Sequence, residues 1–308
     1  MRSAVCSVIV AADNRLEHLA VAVASARVQL AQGVEVIALD DCSSPGIQAW
    51  LAARAKERPG LRIVEPGGLT PPRARNAAIE AARAPLIAFL DPSCWWWPNK
   101  LAEQAEYHAA HRETAFSFTD YLRVSPDGEH CGTCFQFSQP MGERRHKRGY
   151  SALPNALQVA LASSVIGTST AVASKAALEK AQGFRDLPTA WEWDLWLRLA
   201  AGSPVACSWA ITATYVPSAE TAPSMQQRIA AMEEILSPYE NSGVASIRNA
   251  AAKGRAQLDC ARAELSRPVR RHTQALRGGS WAFAASTQAK AASGSAALNF
   301  AGLYGAGK

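Results

Sequence analysis

No run of about 18 apolar residues, the length a membrane-crossing helix needs, occurs anywhere in the 308-residue sequence. No glycine-rich fingerprint follows the first apolar run, which argues against a dinucleotide-binding start of the G-x-G-x-x-G kind. Charge is sparse at 19%, against 48% hydrophobic residues, a globular balance rather than that of a disordered chain. The net charge of +6 is modest, and no RNA- or DNA-binding signature accompanies it. Cysteines number seven, and only Cys131 and Cys134 are spaced C-x2-C. No second pair lies at zinc-site spacing, so a hairpin with incidental, reduced thiols is expected. The opening residues read as a strand rather than a signal peptide, and the expectation is a cytoplasmic protein.

What is present is an alternation. β-rich runs at Cys6–Ala11, Glu35–Leu39, Leu61–Val64 and Pro85–Leu90 are separated by helical patterns. Leu19, Val23, Ala26 and Leu30 recur at three to four, Pro45–Lys56 and Arg73–Ala82 supply two more helices, and Pro98–His111 a fourth. Such alternation predicts a parallel sheet with helical crossovers. Beyond it, strands are expected at Ala115–Val124 and Glu129–Phe137 around the turn Ser125-Pro126-Asp127-Gly128, then at Thr168–Ala173 and Val205–Tyr215. Helices are expected at Ala152–Ala162, Lys175–Ala181, Thr189–Ala200, Gln226–Leu236 and Ala245–Leu265. The fold class is α/β: a Rossmann-like mixed sheet flanked by helices, with a helical C-terminal appendage. Its first half spans about 1–112 and its second about 113–222; a basic helical extension follows at 223–277. The Ala/Ser/Gly-rich stretch 278–308 reads as a weak helix or as disorder.

Basic residues cluster twice, in Arg144-Arg145-His146-Lys147-Arg148 and across Arg248–Arg277. Each cluster alone reads as a solvated face or loop; together they suit an anionic partner, a nucleoside diphosphate, an acidic glycan or an anionic membrane surface.

Several islands carry a specific resemblance. Phe89-Leu90-Asp91-Pro92-Ser93-Cys94, followed by Trp95, Trp96, Trp97 and Pro98, is similar to the F-L-D-x-D-D turn of the family 2 glycosyltransferases of the GT-A fold. Ser7-Val8-Ile9-Val10-Ala11-Ala12-Asp13-Asn14-Arg15 resembles that family's S-V-I-I-P-T-Y-N-R, with the base-stacking Tyr replaced. Leu39-Asp40-Asp41-Cys42-Ser43 resembles D-D-G-S, and Arg73-Ala74-Arg75-Asn76 carries the A-R-N. Gly183-Phe184-Arg185-Asp186 and Trp191-Glu192-Trp193-Asp194-Leu195-Trp196-Leu197-Arg198 resemble G-G-F-D-E and E-D-W-D-L-W-L-R. The family's closing Y-R-x-H is absent after Tyr215. The likeness runs over about residues 5–220 and implies a nucleotide-binding half at about 1–112 and an acceptor half at about 113–222.

The resemblance implies an inverting transfer of sugar from a nucleoside diphosphate, UDP favoured, to a hydroxyl acceptor such as a glycan, a lipid-linked sugar or a small molecule. Ala11, Asp13, Arg15, Asp40, Asp41, Arg73, Arg75 and Asp91 fall at donor positions. Glu192 stands at the place of the general base, and Asp194, about 200° further round a helix, is expected to anchor. Trp95, Trp96 and Trp191 are expected to line the acceptor cleft, with Trp193 and Trp196 in the core. Mn²⁺ or Mg²⁺ would find only Asp91, because Ser93 and Cys94 stand where carboxylates belong, so weak or no metal dependence is expected. Arg73, Arg75, Lys100 or segment 144–148 would then neutralise the departing diphosphate. The alternative is a catalytically silent relative that binds a nucleotide sugar, a glycan or a partner transferase. The basic C-terminal helices suit a peripheral contact with the inner face of a membrane or with a partner protein.

Overall fold

The computed structural model describes residues 4–29, 33–41, 43–57, 60–125, 127–138, 141, 149–216 and 224–265. Segment 144–148 and the stretch 278–308 lie outside the described residues, as does the basic run beyond residue 265.

The apolar run of β1 (Cys6–Ala11) is buried along nearly its whole length, as a strand covered on both faces must be. It pairs in parallel with β2 (Val34–Leu39) and β4 (Leu86–Leu90), and β2 pairs with β3 (Leu61–Val64). Side-chain alternation divides the core between the two faces. Val8, Val10, Val36 and Ala88 point to the layer that also buries Leu19, Ala22 and Val23 of α1 (Leu16–Val28) and Ile47 and Leu51 of α2 (Pro45–Glu57). Ile9, Ile37, Ile87 and Phe89 point to the layer shared with Ala74, Ala78 and Ile79 of α3 (Pro71–Ala81). Prolines in the first turn of α3 start that helix without losing a backbone bond.

The second half adds β5 (Cys94–Trp96), α4 (Lys100–Ala110), β6 (Phe116–Val124), β7 (His130–Thr133), β8 (Ser151–Ala152) and α5 (Ala156–Ala162). Then come β9 (Val172–Ser174), α6 (Lys175–Lys180), α7 (Trp191–Gly202), β10 (Val205–Tyr215), α8 (Met225–Glu240) and α9 (Ala245–Leu265). One sheet runs in the order β3-β2-β1-β4-β9-β6-β10-β5, with β7 on β6 and β8 on β10. β9 is antiparallel to both β4 and β6, which makes the sheet mixed.

Four local expectations change. Cys94–Trp96, read as loop, is a strand antiparallel to Ala213–Tyr215, a pairing that only the distant β10 makes available. The helix expected from Pro98 opens at Lys100, because Asn99 takes a left-handed conformation at φ 67. The strand expected through Phe137 stops at Thr133, where Phe135–Phe137 folds into a 3-10 turn that buries Phe135. Thr168–Thr170 is a 3-10 turn rather than strand, and the Thr170 hydroxyl donates to Gly167 O at 2.7 Å.

The C-terminal extension shares the main core. Met232 and Leu236 of α8 and Leu258 and Ala261 of α9 belong to the cluster that holds Trp193 and Leu197 of α7. A capping box between Ser224 and Gln227 starts α8. Arg255 pairs with Glu233 at 3.0 Å and Glu240 at 2.8 Å, tying α9 to α8. Gly254 lies so close to α5 that an added Cβ would sit 2.3 Å from Leu161 O.

Candidate active site

The C-terminal ends of β1, β2 and β4 form one edge, where open α/β sheets bind ligands. Ala11 ends β1, and Ala12 N–H donates to Leu39 O at 2.8 Å, holding the first two loops together. Asp13 is engaged locally: Arg15 donates to it from its backbone at 3.0 Å and from Nε at 2.8 Å. The same guanidinium reaches Ser93 Oγ at 3.1 Å.

The two adjacent aspartates differ. Asp41 Oδ1 accepts Gly68 N–H at 2.7 Å and Leu69 N–H at 3.2 Å, so it anchors the loop before α3. Asp40 is buried, and its Oδ1 accepts Ser43 N–H at 3.0 Å, whereas Oδ2 has no hydrogen-bond partner among the described residues. A buried acceptor left unmade costs about 1–3 kcal/mol, so Oδ2 is poised to take an N–H from a ligand. Arg73 is exposed on the first turn of α3.

Arg75, half a turn on, points to the next strand end. Its Nη2 lies 2.6 Å from Asp91 Oδ1, and its guanidinium stacks 4.6 Å from the Trp191 ring centroid. Asn76 bonds both the N–H and the C=O of Phe184 at 2.9 Å, clamping the loop before α7. Gly183 sits at φ +62, where a Cβ would be 2.3 Å from Asn76 Oδ1. Only glycine fits there.

Glu192 is the second residue of α7, which starts from Ala190 in a left-handed conformation at φ 59. Burial raises the Glu192 carboxyl above the usual glutamate range, and the nearby charges of Arg228 and Arg75 offset part of that. Asp194 instead is buried against Arg198 at 2.8 Å and Arg185 at 3.2 Å, an anchoring role.

The residues at the Asp91 turn do not suit a hard divalent cation. Asp91 faces Arg75, Ser93 faces Arg15, and burial pushes the Cys94 thiol up to about 12. Such a cation wants several oxygen ligands, and among the described residues no group of three or more His, Cys, Asp or Glu is placed to hold a metal.

Asp91 and Glu192 lie on the wall of one cavity of about 230 Å³. Of the tryptophans expected to line an acceptor cleft, Trp95, Trp96 and Trp191 are not on its wall. Trp96 is fully buried, donates Nε1–H to Ser169 O at 2.6 Å and sits under Lys100, so it cannot face a ligand. Trp191 is buried beneath Arg75 and packs edge-on to Phe184. Trp95 is half-buried on β5, away from the cavity wall. Trp193 is the tryptophan that reaches the wall, while its Nε1–H donates to Ala160 O at 2.9 Å. Lys100 is excluded as a leaving-group cation: it is 1% exposed, bonded to Gln104 Oε1 at 2.6 Å, and burial lowers its pKa to about 7.

The cavity adds residues that no motif marked: Tyr121 and Arg123 from β6, and Met225, Arg228 and Ile229 from α8. A sequence signal existed for one of them. Arg228 falls within the apolar stripe Met225, Ile229, Met232, Leu236, an unusual place for a cation on a helix that packs against a core.

Comparison with known proteins places this geometry. Residues 7–152 match the model described as glycosyl transferase family 2. Over 125 residues the chain is 34% identical to a protein named for teichuronic acid biosynthesis, the glycosyltransferase TuaG of Bacillus subtilis (strain 168), a stretch covering 40% of this chain and 48% of that one. Over 102 residues it is 37% identical to the succinoglycan biosynthesis protein ExoO of Rhizobium meliloti (strain 1021), covering 32% and 28% respectively. The chain thus spans about half or less of the curated relatives it matches. In three dimensions it is similar to S. aureus TarS 1–349 in complex with UDP-GlcNAc, with a TM-score of 0.62 over 81% of this chain and 71% of that one. Identity there is 16%, so the likeness speaks for the fold.

Proposed function

We propose that the chain transfers a sugar from a nucleoside diphosphate donor to an acceptor hydroxyl with inversion, and without a metal; the match of residues 7–152 to the glycosyl transferase family 2 model and the TarS-like sheet support this reading. The observation that carries this reading is the convergence of Asp91, Arg75 and Glu192 at the end of β4 and the start of α7, with Asp91 and Glu192 on one cavity wall.

The donor base lies beyond β1 and β2, where Asp40 Oδ2 accepts its N–H. A uracil N3–H supplies such a donor, and the crystallised complexes of TarS with UDP-GlcNAc and UDP support UDP as the nucleotide. The diphosphate then reaches Arg75, whose planar fork suits paired phosphate oxygens. Asp91 holds that guanidinium in place, and the Trp191 face supports it from below.

Glu192 takes the proton of the acceptor hydroxyl as its oxygen attacks the anomeric carbon, on the face opposite the departing diphosphate. One bond to that carbon forms and the bond to the diphosphate breaks, so the configuration inverts. Burial gives Glu192 a raised pKa, which strengthens it as a base while leaving it ionised only above the usual glutamate range.

Thermal stabilisation by UDP-, GDP- and dTDP-sugars, each with Mn²⁺ and with EDTA, tests the proposal. Stabilisation by UDP-sugars that EDTA leaves unchanged is expected. A stabilisation that appears only with Mn²⁺ overturns the metal-free reading, and none with any nucleotide overturns the transferase.

A further inference from the structure

The turn Asp91-Pro92-Ser93 after β4 is held by one arginine from each face of the sheet. Arg75 lies on α3, in one helical layer, and its Nη2 is 2.6 Å from Asp91 Oδ1. Arg15 immediately precedes α1, in the other layer, and its Nη2 donates to Ser93 Oγ at 3.1 Å. Under the proposed function Arg75 meets the diphosphate, and Arg15 has no part. β1 lies between β2 and β4, so an arginine on the loop after β1 has a neighbour on either side. It reaches to the β4 turn, not to Asp40 after β2.

A guanidinium carries five N–H bonds in a fixed plane. In Arg15, Nε donates to Asp13 Oδ2 at 2.8 Å, and Nη2 donates both to Asp13 and to Ser93. The N–H bonds of Nη1 remain. That atom is buried and has no hydrogen-bond partner among the described residues. The side chain as a whole keeps 20% of its surface exposed, so a ligand can approach the group from that side. A buried donor left unmade is costly, and an arriving oxygen that satisfies it recovers the cost. In Arg75, the Asp91 contact and the stacking on Trp191 likewise leave N–H bonds to give.

The pair offers direction rather than surplus charge. Asp13 balances Arg15 and Asp91 balances Arg75, the same sum as a divalent cation held by two carboxylates. Here it is assembled from side chains, at a turn whose own residues do not suit such a cation. Each carboxylate fixes its guanidinium, and fixed N–H groups stabilise charge developing on a leaving group without reorganising. Asp91 and Ser93 are two residues apart, so the arginines are anchored to points at most about 7 Å apart. Two linked phosphates can bridge such a gap.

We propose that Arg15 is the second arginine of a diphosphate site, reaching the phosphates beside Ser93 while Arg75 reaches them beside Asp91, and that the two together take the place of a divalent cation at this turn. The inference rests on the transferase reading for the nucleotide, but the diphosphate site itself does not need the nucleoside. Asp13 is then a positioning residue, whose fork on Nε and Nη2 turns Nη1 toward the ligand.

The test uses the full chain in EDTA at matched ionic strength, with UDP, uridine and inorganic pyrophosphate as probes. Calorimetric titration reads their affinities in the parent chain, Arg15→Gln and Ser93→Ala, and melting curves show whether each variant is folded. Expected is a loss of UDP affinity of tenfold or more in Arg15→Gln and of two- to threefold in Ser93→Ala. Pyrophosphate should follow UDP, and uridine should stay within twofold of the parent. Should Arg15→Gln not fold, Ser93→Ala, which removes only a hydroxyl, decides. UDP affinity unchanged in the folded variants overturns the proposal and leaves the transferase reading standing. A loss of uridine equal to that of UDP also overturns it, by assigning Arg15 to the base loop. So does UDP binding in the parent that requires Mn²⁺. If pyrophosphate binds and is lost in Arg15→Gln while no nucleotide binds, the transferase reading fails and the arginine site stands; if neither binds, both fail.

Discussion

The proposed donor edge and the cavity beside Glu192 are built on opposite plans. Along the donor edge, polar side chains sit on short loops directly after β1, β2 and β4, and most bond to near neighbours: Asp13 to Arg15, Asp41 to Gly68 and Leu69. Asp40 Oδ2 and Arg15 Nη1 are exceptions, buried atoms with no hydrogen-bond partner among the described residues. The cavity draws on β6, β10, α7, α8, α9 and the 3-10 turn at Thr168, and it keeps Glu192 and Arg228 facing inward. Loops that follow a parallel strand can offer one atom from a fixed frame. A cavity closed by helices can hold whole charges out of water, and so can shift their properties. Under the proposed function, recognition of a nucleotide belongs to the first region and the chemistry to the second.

The sharpest way to break that division is at Glu192. Glu192→Gln is expected to lower turnover by about 10²–10⁴-fold while UDP affinity stays unchanged; a loss of nucleotide affinity instead would erase the boundary between the regions. The pH profile sharpens it further. The base acts as a carboxylate, so the rate rises with pH through a pKa that burial holds above the ordinary glutamate value. The same shift carries a stability sign. The folded chain keeps this proton longer than the unfolded one, so the group's contribution is full below the ordinary glutamate pKa and is lost as pH rises through the raised one. Glu192→Gln should flatten both dependences, which turnover and denaturant titrations across pH will read.

Next in size is the roof. Gly254→Val places side-chain atoms against Leu161 O and is expected to cost about 1–3 kcal/mol, with the α8–α9 hairpin shifted off α5. Urea unfolding measures the cost. Turnover should fall while UDP affinity holds; a loss of UDP affinity as well would show that the hairpin supports the donor edge too.

The smallest effect compares the two aspartates. Asp40→Asn is expected to weaken UDP by about tenfold, or about 1.4 kcal/mol. Asp41→Asn should leave UDP affinity nearly intact and lower stability by about 1 kcal/mol through its loop bonds. Calorimetric titration of both variants, beside their melting curves, decides whether the roles are reversed.

How legible each region was follows from the same contrast. β1, β10 and α9 occupy the spans their patterns predict, since each is an unbroken strand- or helix-like run. Arg75, Asn76, Gly183 and Glu192 stood out as short motifs, but a motif does not tell Asn76, which clamps Phe184, from Arg75, which faces the ligand edge. The run Trp95-Trp96-Trp97 was ambiguous for a physical reason. Its facing depends on pairing with β10, and that pairing turns Trp96 into the core and leaves Trp97 40% exposed. Arg123 and Arg228 lie more than a hundred residues apart in sequence, and only packing of α8 under β6 and β10 brings them to one wall.

Gly254 and its contact with Leu161 bear on the order in which the protein becomes itself during synthesis. The strand and helix alternation of residues 6–110 has its pairing partners β1, β2, β3 and β4 in hand early, so it can fold while later residues are still being made. The cavity cannot. Leu258 and Ala261 are part of its wall, and α9 seats against α5 only once Gly254 has emerged. Under the proposed function, a nascent chain halted before that point would have its donor edge in place and the cavity beside Glu192 still open.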